Sequence, residues 1–184
     1  MLHYFAREFY ASEHVSLALT DNRTARIYGV SDHRDITGTL VVAGWSWSSK
    51  TLGQWEQRHV SIPRFSGALL WSGSISDALS RAGCSSFLDC FLTLELFSGS
   101  YPSSASLPIA QNWFVPASFK DIQLPDPHLR VLQVTSQDGR MDVTFKAAAA
   151  SPFTWLETTI PGRWSRNGFI ALAGASSSLS IACE

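Results

Sequence analysis

Residues 131–145 have the sequence VLQVTSQDGRMDVTF, in which two runs of alternating apolar and polar residues flank an Asp-Gly pair. Alternation with a period of two residues is typical of a half-buried β-strand, because successive side chains of a strand point to opposite faces. Asp138 and Gly139 supply the positive φ angles that a two-residue turn between antiparallel strands requires. The stretch therefore predicts a β-hairpin with strands at 129–136 and 141–147.

Similar short runs recur on both sides of this hairpin, and most are bounded by Gly, Pro, Ser, Asn or Asp. The further strands predicted in this way are 15–19, 25–30, 38–46, 59–63, 68–72, 87–97, 112–115, 153–157 and 170–172. A short helix is predicted to start at Ser74–Asp77 and to stop at Gly83. Many short strands with regular turn signals and little helix predict a mainly β fold built of β-sandwiches.

The strand at 38–46 divides the residues of TLVVAGWSW between two faces. Leu40, Val42, Gly44 and Ser46 share one face, and the other face carries Val41, Ala43, Trp45 and Trp47. We expect the second of these faces to point to the core. The seven tryptophans of the chain have two interpretations. They are core anchors of a sandwich, or some of them form a platform on which a sugar ring stacks, with Trp47 and Trp55 as the carbohydrate-contacting residues.

The chain opens with MLHYFAREFY, where Leu2, Phe5 and Phe9 stand at helical spacing. A helix with so broad an apolar surface needs cover on more than one side. No second amphipathic helix of comparable strength follows it. This pattern predicts that residues 1–13 are the last helix of a larger structure.

A domain boundary is predicted at KDIQLPDPHL, residues 120–129, because Pro125 and Pro127 stiffen an extended crossing. Residues 14–119 then form one sandwich. Residues 120–184 contain roughly four predicted strands, and 176–180 is Ser-rich and expected to be weakly structured. Since four strands are too few for a seven-stranded sandwich, the second sandwich is expected to be truncated.

Charge and composition narrow the classes of function. The net charge is −1 and no Lys/Arg cluster is interleaved with aromatic residues, so nucleic acid is not an expected partner. No apolar run approaches the roughly 20 residues of a membrane-spanning helix, so no membrane partner is expected. The five histidines do not pair at metal-binding spacing, and no phosphate-cradling glycine loop is present. No metal and no cofactor are expected.

Three cysteines and one sequon complete the candidate sites. The spacing of Cys84 and Cys90 fits no common zinc pattern, which leaves two alternatives: buried, inert thiols, or a short-loop disulfide with Cys183 free. Asn22-Arg23-Thr24 is a sequon for N-glycosylation, and it matters only if the chain is secreted.

Catalytic signatures are weak. The six glutamates are scattered, so the sequence does not identify the pair of carboxylates that a glycosidase needs. There is also no G-x-S-x-G motif that would identify a nucleophilic serine. No catalytic residue is predicted.

Several stretches together resemble a known family. They are LHYFAREFY at 2–10, IYGVSD at 27–32, NWFVPASFKDIQLPDP at 112–127, SPFTWLE at 151–157 and PGRWSRNGFI at 161–170. In this order they resemble the C-terminal third of the β-mannosidases of glycoside hydrolase family 2. The resemblance implies that residues 1–13 close a catalytic (β/α)8 barrel that lies upstream. It also implies two immunoglobulin-like β-sandwiches in tandem after that helix.

The resemblance also implies what the chain lacks. The family's acid/base glutamate lies in an Asn-Glu dipeptide, whereas Asn22, Asn112 and Asn167 are followed here by Arg, Trp and Gly. Arg166 departs from the acidic residue expected before Asn167-Gly168. The expected function is a non-catalytic accessory region of an enzyme that hydrolyses terminal β-mannosides with retention. The catalytic barrel would be its partner in cis, and mannosides would be possible ligands.

The alternative is a stand-alone carbohydrate-binding or protein-interaction sandwich. The compartment, whether secreted, lysosomal or vacuolar, or cytoplasmic, would depend on sequence upstream of Met1.

Overall fold

The computed structural model describes residues 2–21, 23–48, 50–99, 107–137, 140–159, 161–173 and 177–183. The chain divides into two compact units. We call the first of them, Glu8–Ser46 with Thr51–Gln123, the first sandwich. The other, which we call the second sandwich, consists of Leu124–Glu184 together with Met1–Arg7 and Trp47–Lys50. The fold is mainly β with tandem immunoglobulin-like sandwiches, as the sequence predicts.

Two α-helices are described, α1 at Leu2–Phe9 and α2 at Ile75–Arg81, and a short 3-10 helix spans Phe119–Asp121. The strands of the first sandwich are β1 Glu13–Thr20, β2 Thr24–Ser31, β3 Ile36–Ser46, β4 Thr51–Ile62, β5 Ser66–Ser74, β6 Cys90–Ser98 and β7 Ala110–Phe114. They form two antiparallel sheets with strand orders β1-β2-β5 and β4-β3-β6-β7. The sequence located only the end of β4, whereas the strand pairs with β3 along most of its length.

The core of the first sandwich uses the opposite face of β3 from the one predicted. Leu40 and Val42 are fully buried and belong to the central apolar cluster with residues of both sheets. A Cβ atom built on Gly44, which shares their face, would overlap the carbonyl oxygen of Ala82. Gly44 therefore marks the point where the end of α2 approaches the strand, not a weak part of the core.

Helix α2 begins and ends where the sequence predicts. The Ser74 hydroxyl oxygen accepts a hydrogen bond from the backbone N–H of Asp77 at 3.0 Å, which caps the helix. Gly83 follows the helix with φ +78°. A Cβ atom at that position would lie 2.7 Å from the carbonyl oxygen of Leu52, so both conformation and space favour glycine.

The second sandwich contains β8 Arg130–Gln137, β9 Arg140–Lys146, β10 Ser151–Thr154, β11 Gly162–Trp164, β12 Phe169–Ala171 and β13 Ser177–Cys183. Four of them form a sheet in the order β11-β13-β9-β8, and β10 pairs with β12. The predicted hairpin is confirmed: β8 and β9 are antiparallel with Gln137 opposite Arg140. The turn residues Asp138 and Gly139 lie outside the described residues.

The prediction of weak structure at 176–180 was wrong for the part that is described. Strand β13 pairs with β11 on one side and with β9 on the other. Its sequence SSLSIAC alternates serine with Leu179 and Ile181, which is a strand pattern that the serine content obscured. The predicted truncation of this sandwich stays a prediction.

Two small apolar clusters are found among the described residues of the second sandwich. One joins Tyr4 of α1 to Val143 and Trp164. The Tyr4 ring meets the Trp155 ring edge-on at 5.5 Å, and its hydroxyl oxygen accepts a hydrogen bond from the Trp164 backbone N–H at 3.2 Å. The other cluster contains Phe145, Ala147, Phe169 and Ala171. Helix α1 thus supplies a buried aromatic residue to this unit.

The exposed residues at the end of α1 are relevant to the prediction that this helix closes a barrel. At its end Phe9 is 66% exposed and the following Tyr10 is 86% exposed. The side chains of Leu2 and Phe5 lie outside the described set. The origin of α1 in a barrel stays a prediction.

Candidate functional site

The two tryptophans predicted to contact carbohydrate are both buried. Trp47 is 4% exposed and Trp55 is 7% exposed. The Trp55 indole N–H donates to the Ala78 carbonyl at 3.2 Å, and the Arg81 guanidinium lies 4.3 Å from its ring centre. A sugar ring stacks on an exposed aromatic face, so these positions favour the core-anchor interpretation over the sugar platform.

Titratable and aromatic groups instead gather on the outer face of the sheet β4-β3-β6-β7. Val41 of β3 is directly opposite Glu56 of β4 on one side and Glu95 of β6 on the other. Gln111 of β7 follows in the same row, opposite Glu95. Residues directly opposite each other in antiparallel strands point to the same face. We call this row, together with the tryptophans described next, the outer face.

Two half-buried tryptophans belong to the outer face. The Trp45 indole N–H donates to the Thr93 hydroxyl oxygen at 3.0 Å. Trp113 of β7 is directly opposite Thr93. The sequence did not predict this grouping, because it depends on the register of four strands. The only local signal was the pattern of Trp45, Thr93 and Glu95 at alternate positions of their strands.

The two carboxylates of the outer face have different environments. Burial raises the pKa of Glu95, and the hydrogen bond that the Gln111 side-chain amide donates to it at 2.9 Å opposes that rise. One oxygen of Glu56 accepts from Arg58 at 2.7 Å, and its other oxygen is buried without a hydrogen-bond partner among the described residues. Val41 separates them, so their backbones are two strand spacings, or about 9.6 Å, apart. The face offers hydrogen bonding and ring surface rather than a close carboxylate pair.

A cavity of about 600 Å³ lies in the second sandwich, lined by Tyr4, Trp155 and Trp164 among others. Its polar lining includes Asn167, which is 4% exposed. The Asn167 side-chain oxygen accepts from the Leu156 N–H at 2.7 Å, and its amide donates to the Leu156 carbonyl at 2.9 Å. Asn167 thus fixes the backbone of Leu156 at the wall of the cavity, because its side-chain oxygen and amide both bond to that residue.

The predictions for the cysteines, the sequon, metal binding and membrane spanning concern separate parts of the chain. Cys84 and Cys90 are joined by a disulfide in the structure, with their Cα atoms 5.9 Å apart. The side chain of Cys183 and all of Asn22 lie outside the described residues. Among the residues that are described, no three His, Cys, Asp or Glu side chains gather as a metal site. None of the described helices is long and apolar enough to span a membrane.

The succession of two sandwiches matches known sequence families. The mannosidase Ig/CBM-like domain family matches residues 23–121, and an Ig-fold domain family of mannosidases matches residues 124–183. The chain belongs to the mannosidase Ig/CBM-like domain family. The two matches meet at 121–124, at the boundary between the compact units.

Curated relatives of these mannosidase domains are β-mannosidases. The chain is 30% identical to β-mannosidase of Mus musculus over 94% of its own length and 19% of that protein. It is 27% identical to β-mannosidase A of Neosartorya fischeri over 100% of its length and 20% of that protein. It therefore spans about a fifth of the relatives that it matches. Its two matched domains are Ig-like domains of the kind found in β-mannosidase-type enzymes.

Solved structures show the same fold. A β-D-mannosidase from Dictyoglomus thermophilum superposes with a TM-score of 0.71 at 15% identity, covering 98% of this chain and 21% of that one. An exo-chitosanase from Amycolatopsis orientalis superposes with a TM-score of 0.60 at 11% identity, covering 97% and 24%.

Proposed function

We propose that this chain is the non-catalytic C-terminal accessory region of a β-mannosidase of glycoside hydrolase family 2. The parent would hydrolyse terminal non-reducing β-D-mannose residues with retention. The observation that carries the proposal is the order of the two mannosidase domain matches, 23–121 and then 124–183, in a chain that spans about a fifth of its relatives. The absence of an Asn-Glu dipeptide from the sequence agrees with a non-catalytic role.

The proposed partner is the parent's catalytic barrel in cis, with α1 as its closing helix. The exposed Phe9 and Tyr10 at the end of α1 supply apolar surface for such a contact. Tyr4 would meanwhile hold the same helix to the second sandwich. The sequence encoded upstream of Met1 tests this: an in-frame barrel with an Asn-Glu strand end is expected, and an unrelated or absent upstream reading frame would contradict it.

An assay of the isolated chain with an aryl β-mannoside tests the non-catalytic role. No turnover above the buffer rate is expected. Glu56→Gln and Glu95→Gln are the informative variants, because their carboxylates share the outer face, and Glu157→Gln is the matched control. Hydrolysis by the wild-type chain that is lost in Glu56→Gln or Glu95→Gln but kept in Glu157→Gln would overturn the proposal.

We also propose that Cys84 and Cys90 form a disulfide in the native protein, as the 5.9 Å Cα separation allows. Alkylation of the unfolded but unreduced chain followed by intact mass measurement is the direct test. One added group is expected, on Cys183. Three added groups would favour the alternative of inert thiols.

A further inference from the structure

Another cavity of the second sandwich lies at the start of β8 and has a basic lining. Its volume is about 370 Å³, which is within the range of sites for small molecules. The six residues that line it all belong to the second sandwich. Three are basic and three are apolar, and none of the six is acidic: they are His128, Arg130, Leu132, Lys146, Ala147 and Ala148.

The register of β8 and β9 places two permanent cations side by side at this cavity. Arg130 is directly opposite Lys146, so the two side chains leave the sheet on the same face, an arrangement of like charges that destabilises a strand pair. No ion pair joins either cation to a described residue. The carboxylate of β9, that of Asp142, is bound by Arg140 at 3.0 Å. The two cations at the cavity therefore lack a counter-charge among the described residues.

His128 extends the basic lining from the segment before β8. The Ala148 N–H donates to the Pro127 carbonyl at 2.7 Å, which continues the pairing of the two segments beyond Lys146. His128 has φ +40°, a costly conformation for a residue with a side chain and one that is found at functional sites. The Asp126 side chain accepts from the His128 backbone N–H at 2.9 Å and lies 3.5 Å from the imidazole Nδ1. These contacts fix the imidazole beside the cavity.

The rest of the lining is apolar. Leu132 is an extra residue of β8 at a β-bulge, so it has no partner opposite it in β9. Its side chain is 57% exposed and lines the cavity together with Ala147 and Ala148. A bulge beside a site changes the direction of a side chain. Here it adds a carbon surface next to the cation of Arg130.

We propose that this cavity binds a small organic phosphate monoester. The Arg130 guanidinium and the Lys146 ammonium bind the phosphate oxygens, since a planar fork and a point charge are the two cationic groups that proteins use for phosphate. The His128 imidazole is a further hydrogen-bonding group for the same oxygens. Leu132 and the two alanines contact the carbon part of the ligand.

Charge and surface together favour a monoester over other ligands. A phosphate monoester carries about two negative charges at neutral pH, which matches the two permanent cations, whereas a carboxylate would balance only one of them. Inorganic phosphate would leave Leu132 facing water, and a neutral sugar would leave Arg130 and Lys146 unopposed. The inference rests on this cavity and not on the activity of a parent enzyme.

Isothermal titration calorimetry of the whole chain, at neutral pH and low ionic strength, tests the proposal. Glucose 6-phosphate should bind, glucose should not, and inorganic phosphate should bind more weakly than glucose 6-phosphate because it does not reach the apolar wall. No binding of glucose 6-phosphate, or equal binding of glucose, would overturn the proposal. Equal affinity for inorganic phosphate would assign the cavity to the free anion and overturn the monoester.

Single substitutions test the two cations. Arg130→Gln and Lys146→Gln should each weaken the binding of glucose 6-phosphate by about tenfold or more, because each removes a charge-assisted hydrogen bond. Arg140→Gln is the matched control, since it removes one positive charge from β9 at a residue that is bonded to Asp142, and it should keep the wild-type affinity. Equal losses in all three variants would indicate attraction to net charge alone and would overturn the site.

A further substitution tests the apolar wall. Leu132→Ser should weaken glucose 6-phosphate by about threefold and leave inorganic phosphate unchanged. An unchanged affinity for glucose 6-phosphate, or an equal loss for both ligands, would contradict a contact with the carbon part.

Thermal unfolding followed by far-UV circular dichroism checks that each variant folds. Glucose 6-phosphate should raise the midpoint of the wild type and of Arg140→Gln but not that of Arg130→Gln. If Arg130→Gln does not fold, Arg130→Lys replaces it, because it keeps the charge without the planar fork. It should bind more weakly than the wild type, and wild-type affinity would contradict the role of Arg130.

Discussion

The two sandwiches of this chain differ in how their described apolar residues are packed. In the first, buried residues of both sheets and of α2 form one continuous cluster, which includes Val15, Ile27 and Leu94. In the second, the described strands form a four-stranded sheet and a pair of short strands, and the described buried residues include two smaller clusters. The same alternating pattern therefore gives a fully buried Leu94 and a 55% exposed Val134. Periodicity identifies a strand, but only the opposing layer decides what it buries.

The largest expected effect is in the core of the first sandwich. Leu94→Ala should lower the free energy of unfolding of the first sandwich by about 3 kcal/mol, because it leaves a cavity among fully buried neighbours. Urea unfolding followed by circular dichroism measures it. Leu69→Ala, at a 53% exposed position, should cost about 0.5 kcal/mol or less. Equal losses for the two variants would contradict the contrast between buried and exposed strand positions.

The stability of the second sandwich should depend on single buried polar residues more than that of the first. Asn167→Ala should cost about 2 kcal/mol, because it leaves the N–H and carbonyl groups of Leu156 without their partners. Hydrogen exchange measured by mass spectrometry should show faster exchange at Leu156. Glu157→Ala, on the exposed neighbouring residue, is the control. Unchanged protection at Leu156 in Asn167→Ala would show that the Asn167 hydrogen bonds do not stabilise this segment.

Helix α1 should contribute a smaller, local effect. Tyr4→Phe removes the hydroxyl oxygen that accepts from the Trp164 N–H, at a cost of about 1 kcal/mol. That corresponds to roughly fivefold faster exchange of the Trp164 amide if the group opens locally. Tyr10→Phe is the matched control, because Tyr10 is 86% exposed. Exchange that is equally fast in the control would mean that α1 is not anchored through Tyr4.

The smallest expected effect is the pH dependence of the unfolding free energy that comes from Glu95 on the outer face. Burial raises the folded-state pKa of Glu95 above its ordinary value of 4.5. The protonated form is therefore favoured by folding, and this stability is present below pH 4.5 and lost as pH rises through the raised pKa. Glu95→Gln should remove that part of the decline in unfolding free energy.

A second variant fixes the sign of this effect. The hydrogen bond from Gln111 lowers the pKa of Glu95. Gln111→Leu should raise that pKa further and make the decline in stability with pH steeper. A decline that is identical in wild type, Glu95→Gln and Gln111→Leu would assign the pH dependence to another group.

Local features of the fold were predictable from the sequence, and features that depend on distant partners were not. Helix α2 was predicted at both ends because Ser74 and Gly83 act on their own neighbours. The buried face of β3 was mispredicted because the meaning of Gly44 depends on Ala82, which is distant in sequence. The position of Glu56 and Glu95 on either side of Val41 depends on the register of three strands, which no local sequence pattern predicts.

Strand β8 has one extra residue, Leu132, at a β-bulge opposite β9. This bulge shows where the fold tolerates a change in chain length. An extra residue in β8 disturbs one ladder only, since β9 is its single described neighbour. The same insertion in β9 would shift two ladders at once and turn Val143 or Phe145 away from the core. Insertions and deletions among related chains should therefore concentrate in β8, and β9 should keep its length.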